Sequence, residues 1–185
     1  SSIRDVPNRS SALLKVAKDF GDIPKEGTSY IIDTPTLKKA YEELTEVERK
    51  ALDRTHARVK SFAEAQRRSV VDMTMDIPGG TAGHTVSPCS VAGCYAPGGR
   101  YPLPSSVIMT VATARAAGCS TVVCASPRPA KITLAAAYLA GADIFICVGG
   151  AQAIAAMAYG VKGDKETGVI VDIPSCDVIV GPGNK

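Results

Sequence analysis

"VAGCYAPGGRYPLPSSVIMTVATARAAGCSTVVCA", residues 91–125, reads as strand, loop, helix and strand. Its two ends, VAGCY (91–95) and TVVCA (121–125), are short and apolar at successive positions, the pattern of strands covered on both faces. Between them SSVIMTVATARAAG (105–118) is Ala-rich and helical. The alternation continues outward. IFICV (144–148) and DVIV (177–180) read as strands, and AKITLAAAYLAGA (130–142) and AQAIAAMAYG (151–160) as helices. A β-α-β-α-β-α-β order requires a mainly parallel sheet with helices on both faces. Right-handed crossovers then bring every strand C-terminus to one edge. The fold class is α/β.

Upstream of residue 91 the texture is helical. SSALLKVAKDF (10–20) carries Leu13, Leu14 and Ala17 at helical spacing and is stopped by Gly21 and Pro24. A short extended SYIID (29–33) precedes TPTLKKAYEEL (34–44), where a proline sits just inside a threonine cap. TEVERKALDRTHARVKSFAEAQRRS (45–69) places Val47, Ala51, Val59, Phe62 and Ala63 on one stripe, with charges around the rest. His56 in this helix reads as exposed, and His84 as a surface residue of the turn-rich DIPGGTAGHTVSPCS (76–90). The boundary between the halves falls near Pro88, giving a helical part over 1–90 and a sheet domain over 91–185.

Bulk properties narrow the function classes. The chain has 185 residues, 45% hydrophobic and 21% charged, with a formal net charge of +3, ordinary for a soluble globular protein. The basic RVKSFAEAQRR (58–68) is interrupted by glutamate, so nucleic-acid binding is not expected. No apolar run reaches the roughly 18 residues of a membrane span, and membrane partners are not expected either. The six cysteines (Cys89, Cys94, Cys119, Cys124, Cys147, Cys176) lie mostly within apolar runs and form no C-x-x-C pair. They read as buried free thiols of a reducing, cytoplasmic protein. With only two histidines, no structural zinc ligand set is visible. The chain begins Ser-Ser rather than Met and reads as a piece of something longer.

Chemistry is expected in the loops. APGGRYPLP follows the first strand, SPRP the second, GGAQ the third and GPGNK the fourth. Open α/β sheets bind ligands at that edge. Glycines admit close backbone approach and prolines hold the backbone rigid. Ser105 and Ser106 can cap a helix whose free N–H groups face the same edge, an anion seat. No G-x-G-x-x-G fingerprint is present, so this pattern alone does not assign a dinucleotide. The polar side chains near the loops are Tyr95, Arg100, Tyr101, Arg128, Gln152, Asn184 and Lys185, which suit binding better than proton abstraction.

Taken in order, AGCYAPGGRYPLPSSVIMTVATARAAGC, GGAQAIAAMAYG and DVIVGPGNK resemble the histidinol dehydrogenase family, over nearly the whole chain. The PGG…AGH lead-in and ASPRP are similar to eukaryotic, fungal-type members. The resemblance implies a zinc-dependent enzyme that oxidises L-histidinol to L-histidine through the aldehyde with two NAD, the closing steps of histidine biosynthesis. It implies an intertwined homodimer with incomplete Rossmann-like core domains. By the same resemblance Tyr95, Gln152 and Asn184 match positions that contact NAD, with Pro97 and Pro182 flanking the cofactor. The family's zinc ligands and its catalytic glutamate–histidine pair are expected beyond Lys185, so no catalytic or metal-binding residue is assigned here and the chain alone is expected to be inactive. VKGDKETGVIVDIPSC (161–176) makes the crossing to GPGN longer than the family's usual step. Two alternatives stay open: a related sulfopropanediol-type dehydrogenase, which shares GCY-PGGRYP, and a non-catalytic nucleotide-binding remnant.

Overall fold

The computed structural model describes residues 9–98, 101–164 and 169–182. Its elements, in chain order, are α1 (Arg9–Asp19), β1 (Ile31–Ile32), α2 (Thr34–Glu42), α3 (Glu46–Ser69), β2 (Met73–Ile77), β3 (Gly80–His84), β4 (Val91–Tyr95), α4 (Pro104–Ala117), β5 (Thr121–Ala125), α5 (Lys131–Ala140), β6 (Ile144–Ile146), α6 (Gly150–Tyr159) and β7 (Val178–Val180).

Five strands form the main sheet in the order β1-β6-β5-β4-β7. The chain winds outward from β4 through β5 to β6, then returns to lay β7 on the other side of β4. All four of these strands run parallel, as the sequence pattern requires. β1 adds an antiparallel edge, pairing Ile31 with Ile146 and Ile32 with Phe145. The helical first half therefore also supplies a strand to the sheet.

Both faces of the sheet are covered, which explains the continuous apolar runs. On one face, Cys94 of β4 meets Thr110 of α4, and Val107, Ile108 and Val111 of α4 are fully buried. On the other, a Cβ at Gly93 would stand 2.9 Å from Met157 Sδ, so the absent side chain lets α6 press against β4. α4 and α5 pack together beneath α2 and α3, whereas α6 packs against α1. Phe145, Ile146, Val122 and Val123 fill the centre between the layers. Burying each such side chain contributes roughly 1.5–3 kcal/mol.

Polar groups secure the strand entries at the N-terminal edge. Asp177 Oδ2 accepts the N–H groups of Ser90 and Val91, each at 2.9 Å, joining the approach to β7 to the start of β4. Asp143 Oδ2 accepts Val122 N–H at 2.7 Å and pairs with Arg115. Arg115 Nε in turn donates to Gly141 O at 2.8 Å.

Several local expectations need correction. The cap of α2 is Asp33, whose carboxylate accepts Thr36 N–H at 3.0 Å, and Thr34 is already helical. Helix α4 starts at Pro104 behind Leu103, without a side-chain cap, so Ser105 and Ser106 lie inside its first turn. On α3 the buried residues are Leu52 and Ala63, while Val47 and Phe62 of the expected stripe are exposed. Neighbouring helices touch α3 along a narrower strip than a full amphipathic face. His56 is half-buried rather than exposed, and desolvation, followed by nearby Lys60, lowers its pKa. Residues 73–84 form an antiparallel hairpin, β2–β3, instead of irregular turns. His84 is exposed at its end, with Nε2 3.1 Å from Val71 O. All six cysteines are free thiols, but Cys89 is exposed and Cys176 only partly buried.

Candidate functional site

The strand order reverses at β4, where the chain that wound outward through β5 and β6 returns to place β7 on the other side. Such a switch point opens a crevice outside the carboxyl ends of the strands. A cleft of about 480 Å³ occupies the position, lined by Tyr95 and Pro97 from β4 and its loop, Ala151 and Ile154 from α6, and Gly181 and Pro182 after β7.

Backbone approach shapes the cleft. A Cβ on Gly181 would collide with the carbonyl oxygen of Tyr95 and lie 2.9 Å from Tyr95 Cβ, and Gly181 has φ +152°. Only glycine lets the chain leave β7 so close to β4. The loops after β5 and β6 interlock beside the cleft: a Cβ on Gly149 would meet Pro127 Cβ and Cγ at 2.7 Å. The same Pro127 closes on Gly98 in the loop after β4. Three of the four Gly/Pro-rich segments therefore form one packed rim.

Helix α6 points its N-terminus into this rim, and its first amides already have partners. Gly149, its N-cap, donates its N–H to buried Asp22 Oδ2 at 2.9 Å. Gly150, with φ +65°, donates to the hydroxyl of Tyr95 at 3.2 Å. The helix dipole favours both acceptors. The Gln152 amide folds back over Gly150, where a Cβ would meet its Oε1 at 2.9 Å. Gln152 is half-buried and also lines a small apolar cavity between α1 and α6, with Leu13 and Ala156 among its neighbours. The structure thus brings Tyr95 and Gln152 to the same helix N-terminus from different sides. Pro97 and Pro182 both line the cleft. Asn184 lies outside the described residues, as do Arg100 and Lys185.

Asp22 is the residue sequence reasoning missed. It sits in DFGDIP, a surface-turn composition, and nothing local indicates that the turn folds against α6. Arg128 follows Pro127 with φ +44° and places Nε 4.0 Å from Asp22 Oδ1. That left-handed conformation is uncommon for a residue with a side chain. Nearby, burial and then the charge of Asp22 push the Cys147 thiol up to about 12, keeping it neutral. Among the described residues no group of three or more His, Cys, Asp or Glu could hold a metal ion. No helix among them is long and apolar enough to cross a membrane.

This arrangement can hold a flat, largely apolar portion of a ligand against Tyr95 and the two prolines. Among the described residues that line the cleft, none is a carboxylate, histidine or lysine that could serve as a general base.

Comparison with known proteins follows the same lines. The histidinol dehydrogenase family pattern matches residues 3–185. A histidinol dehydrogenase of Methanococcus maripaludis is 36% identical over 183 residues, covering 96% of this chain and 40% of that protein. A sulfopropanediol 3-dehydrogenase of Ruegeria pomeroyi is 40% identical over 136 residues, covering 70% of this chain and 29% of that protein. In three dimensions, the crystal structure of histidinol dehydrogenase from Elizabethkingia anophelis superposes with a TM-score of 0.81 at 24% identity, covering 99% of this chain and 41% of that one, a likeness of fold. The chain thus spans about two fifths or less of the length of these relatives. With its switch-point cleft and a pattern match over nearly its whole length, the chain belongs to the histidinol dehydrogenase family.

Proposed function

We propose that this chain is the NAD-binding portion of a histidinol dehydrogenase that oxidises L-histidinol to L-histidine at the end of histidine biosynthesis. The observation that carries the reading is the cleft at the β4/β7 switch point, walled by Tyr95 and floored by the Gly181 backbone. A flat cofactor ring packs well on an aromatic face, and Gly181 admits it next to the main chain. Tyr95, Pro97 and Pro182 would hold the cofactor, and the Gln152 amide would bond a ribose or carboxamide group from the α6 terminus. Asn184 would add a second amide. NAD, when bound, supplies the hydride acceptor. The chain's own residues bind and orient it.

The leading amides of α6 constrain the pose. Because Asp22 and the Tyr95 hydroxyl already accept from Gly149 and Gly150, a pyrophosphate placed there must displace the Tyr95 hydroxyl or lie elsewhere in the cleft. Zinc has no ligand set among the described residues, and the residues that would hold it are expected beyond Lys185. Without them the chain alone is inactive towards histidinol, and the working enzyme is a cytoplasmic homodimer. The narrower likeness to fungal-type members rests on the PGG…AGH lead-in and ASPRP alone.

A second reading, oxidation of a sulfonated diol, is favoured by the identity to the Ruegeria pomeroyi protein. Assaying the full-length protein with each alcohol separates the two. The cofactor reading is tested by titrating the purified chain with NAD and following backbone amide resonances. Shifts concentrated at Tyr95, Gly150, Ala151 and Gly181 are expected. Unmoved resonances at saturating cofactor would overturn it.

A further inference from the structure

The sheet edge opposite the cleft carries two cysteines in register. β4 and β5 pair at a constant offset, Val91 opposite Thr121 and Cys94 opposite Cys124. The offset persists before the strands begin. Ser90 O accepts Thr121 N–H at 3.0 Å and the Ser120 hydroxyl at 2.9 Å. The Pro88 ring comes within 3.3 Å of where a Cβ on Gly118 would be. Cys89 and Cys119 stand between these two contacts, at the same offset. Adjacent strands run about 4.8 Å apart, and a disulfide needs Cα atoms about 4.4–6.8 Å apart, so a register that continues to these residues brings their backbones within bridging range.

Accessibility separates this pair from the other. Cys94 and Cys124 share the register but are sealed in the core. Cys89 is exposed, whereas Cys119 is buried at 7% exposure. Burial, and then the neighbouring Cys89, push the Cys119 thiol up, while the Arg115 guanidinium opposes the rise. Solvent therefore reaches Cys89 first, and Cys119 is placed to resolve whatever forms there.

We propose that Cys89 and Cys119 are a redox-responsive pair that a low-molecular-weight disulfide converts reversibly into an internal disulfide. In the first step the Cys89 thiolate attacks one sulfur of the small disulfide. A protein–small-molecule disulfide forms, the original S–S bond breaks, and one small thiolate leaves. In the second, the Cys119 thiolate attacks the Cys89 sulfur and expels the other small thiolate. Two protein thiols are oxidised to one disulfide, one small disulfide is reduced to two thiols, and these take up the two protons. The bond would close a loop holding the Tyr95 segment and α4, and it would tie the entry of β4 to the turn before β5. The cofactor cleft lies at the other edge, so the pair is independent of how that cleft is used.

The test is exposure of the reduced, folded chain to glutathione disulfide, followed by acid quenching, digestion and mass spectrometry. Trypsin leaves Cys89 with Cys94 in residues 69–100 and Cys119 with Cys124 in residues 116–131. The expected product is these two peptides joined, lighter by two hydrogens than their sum. Cys89→Ser, at an exposed position that leaves the fold intact, should abolish it. Cys119→Ser should instead trap glutathione on Cys89. The cross-linked protein should melt at least about 5 °C higher than the reduced one. A joined pair that persists in Cys89→Ser, or wild-type protein that stops at glutathione on Cys89, overturns the proposal.

Discussion

Asp22 reaches from the turn after α1 to accept the backbone N–H of Gly149 at 2.9 Å, and so caps α6 from a distant part of the chain. The carboxylate is buried, and Arg128 stands 4.0 Å away with most of its side chain in solvent. A buried charge is tolerable here because a helix N-terminus and a hydrogen bond both favour it. Replacement by alanine leaves the Gly149 N–H buried without an acceptor, and Asp22→Ala should cost about 2–3 kcal/mol. Asp22→Asn keeps an acceptor but loses the charge, and should cost about 1 kcal/mol. Urea denaturation of both variants measures this. Losses below about 0.5 kcal/mol in both would show that the contact does not hold the helix.

Gly181 makes a separate prediction. With φ +152° and no room for a Cβ against Tyr95, an alanine there must push β7 away from β4. Gly181→Ala should cost at least about 2 kcal/mol. It should also speed hydrogen exchange at Val180, which pairs with Cys94 in the native register. Unchanged protection of β7 would mean that the strand end adapts without cost.

The sheet was legible because its signal is local and repeated. Runs such as TVVCA and IFICV, separated by Ala-rich helices, permit few alternatives to a parallel sheet. The loops were equally legible as an edge, since each Gly/Pro cluster directly follows a strand. What escaped was non-local. β1 has two residues, and its pairing with Ile146 and Phe145 depends on where α1 and its following turn come to rest. The role of Asp22 depends on the same placement. Val47 and Phe62 misled because helical periodicity reports a face without reporting how far the neighbouring helices extend along it. The hairpin did carry a period-two signal, with Met73, Met75 and Ile77 alternating with Thr74 and Asp76 ahead of Pro78 and Gly79, which the turn residues masked.

Cofactor affinity should separate Tyr95 from Gln152. Tyr95→Phe keeps the ring and loses only the bond from Gly150 N–H, so stability should fall by about 0.5–1.5 kcal/mol with NAD affinity little changed. Gln152→Ala, in the full-length enzyme, should raise KM for NAD far more than KM for histidinol, by the equivalent of roughly 1–3 kcal/mol. Steady-state kinetics against both substrates decide it. An unchanged KM for NAD would detach Gln152 from the cofactor.

Alkaline pH should weaken the fold through its buried thiols. Burial pushes Cys94 up to about 11 and Cys147 up to about 12, whereas a thiol in the unfolded chain titrates near 8.5. Between these values the folded state binds more protons than the unfolded state, so stability must fall as pH rises. The contribution is fully present below about pH 8.5 and is lost progressively towards pH 11–12. Each such thiol should cost about 1–2 kcal/mol by pH 10. Denaturation midpoints recorded from pH 7 to pH 10 check the slope, with Cys147→Ala as the comparison. That variant should start lower, because it leaves a small cavity, and should then lose less on going alkaline. Parallel pH curves for the two proteins would show that the thiol opens to solvent before it ionises.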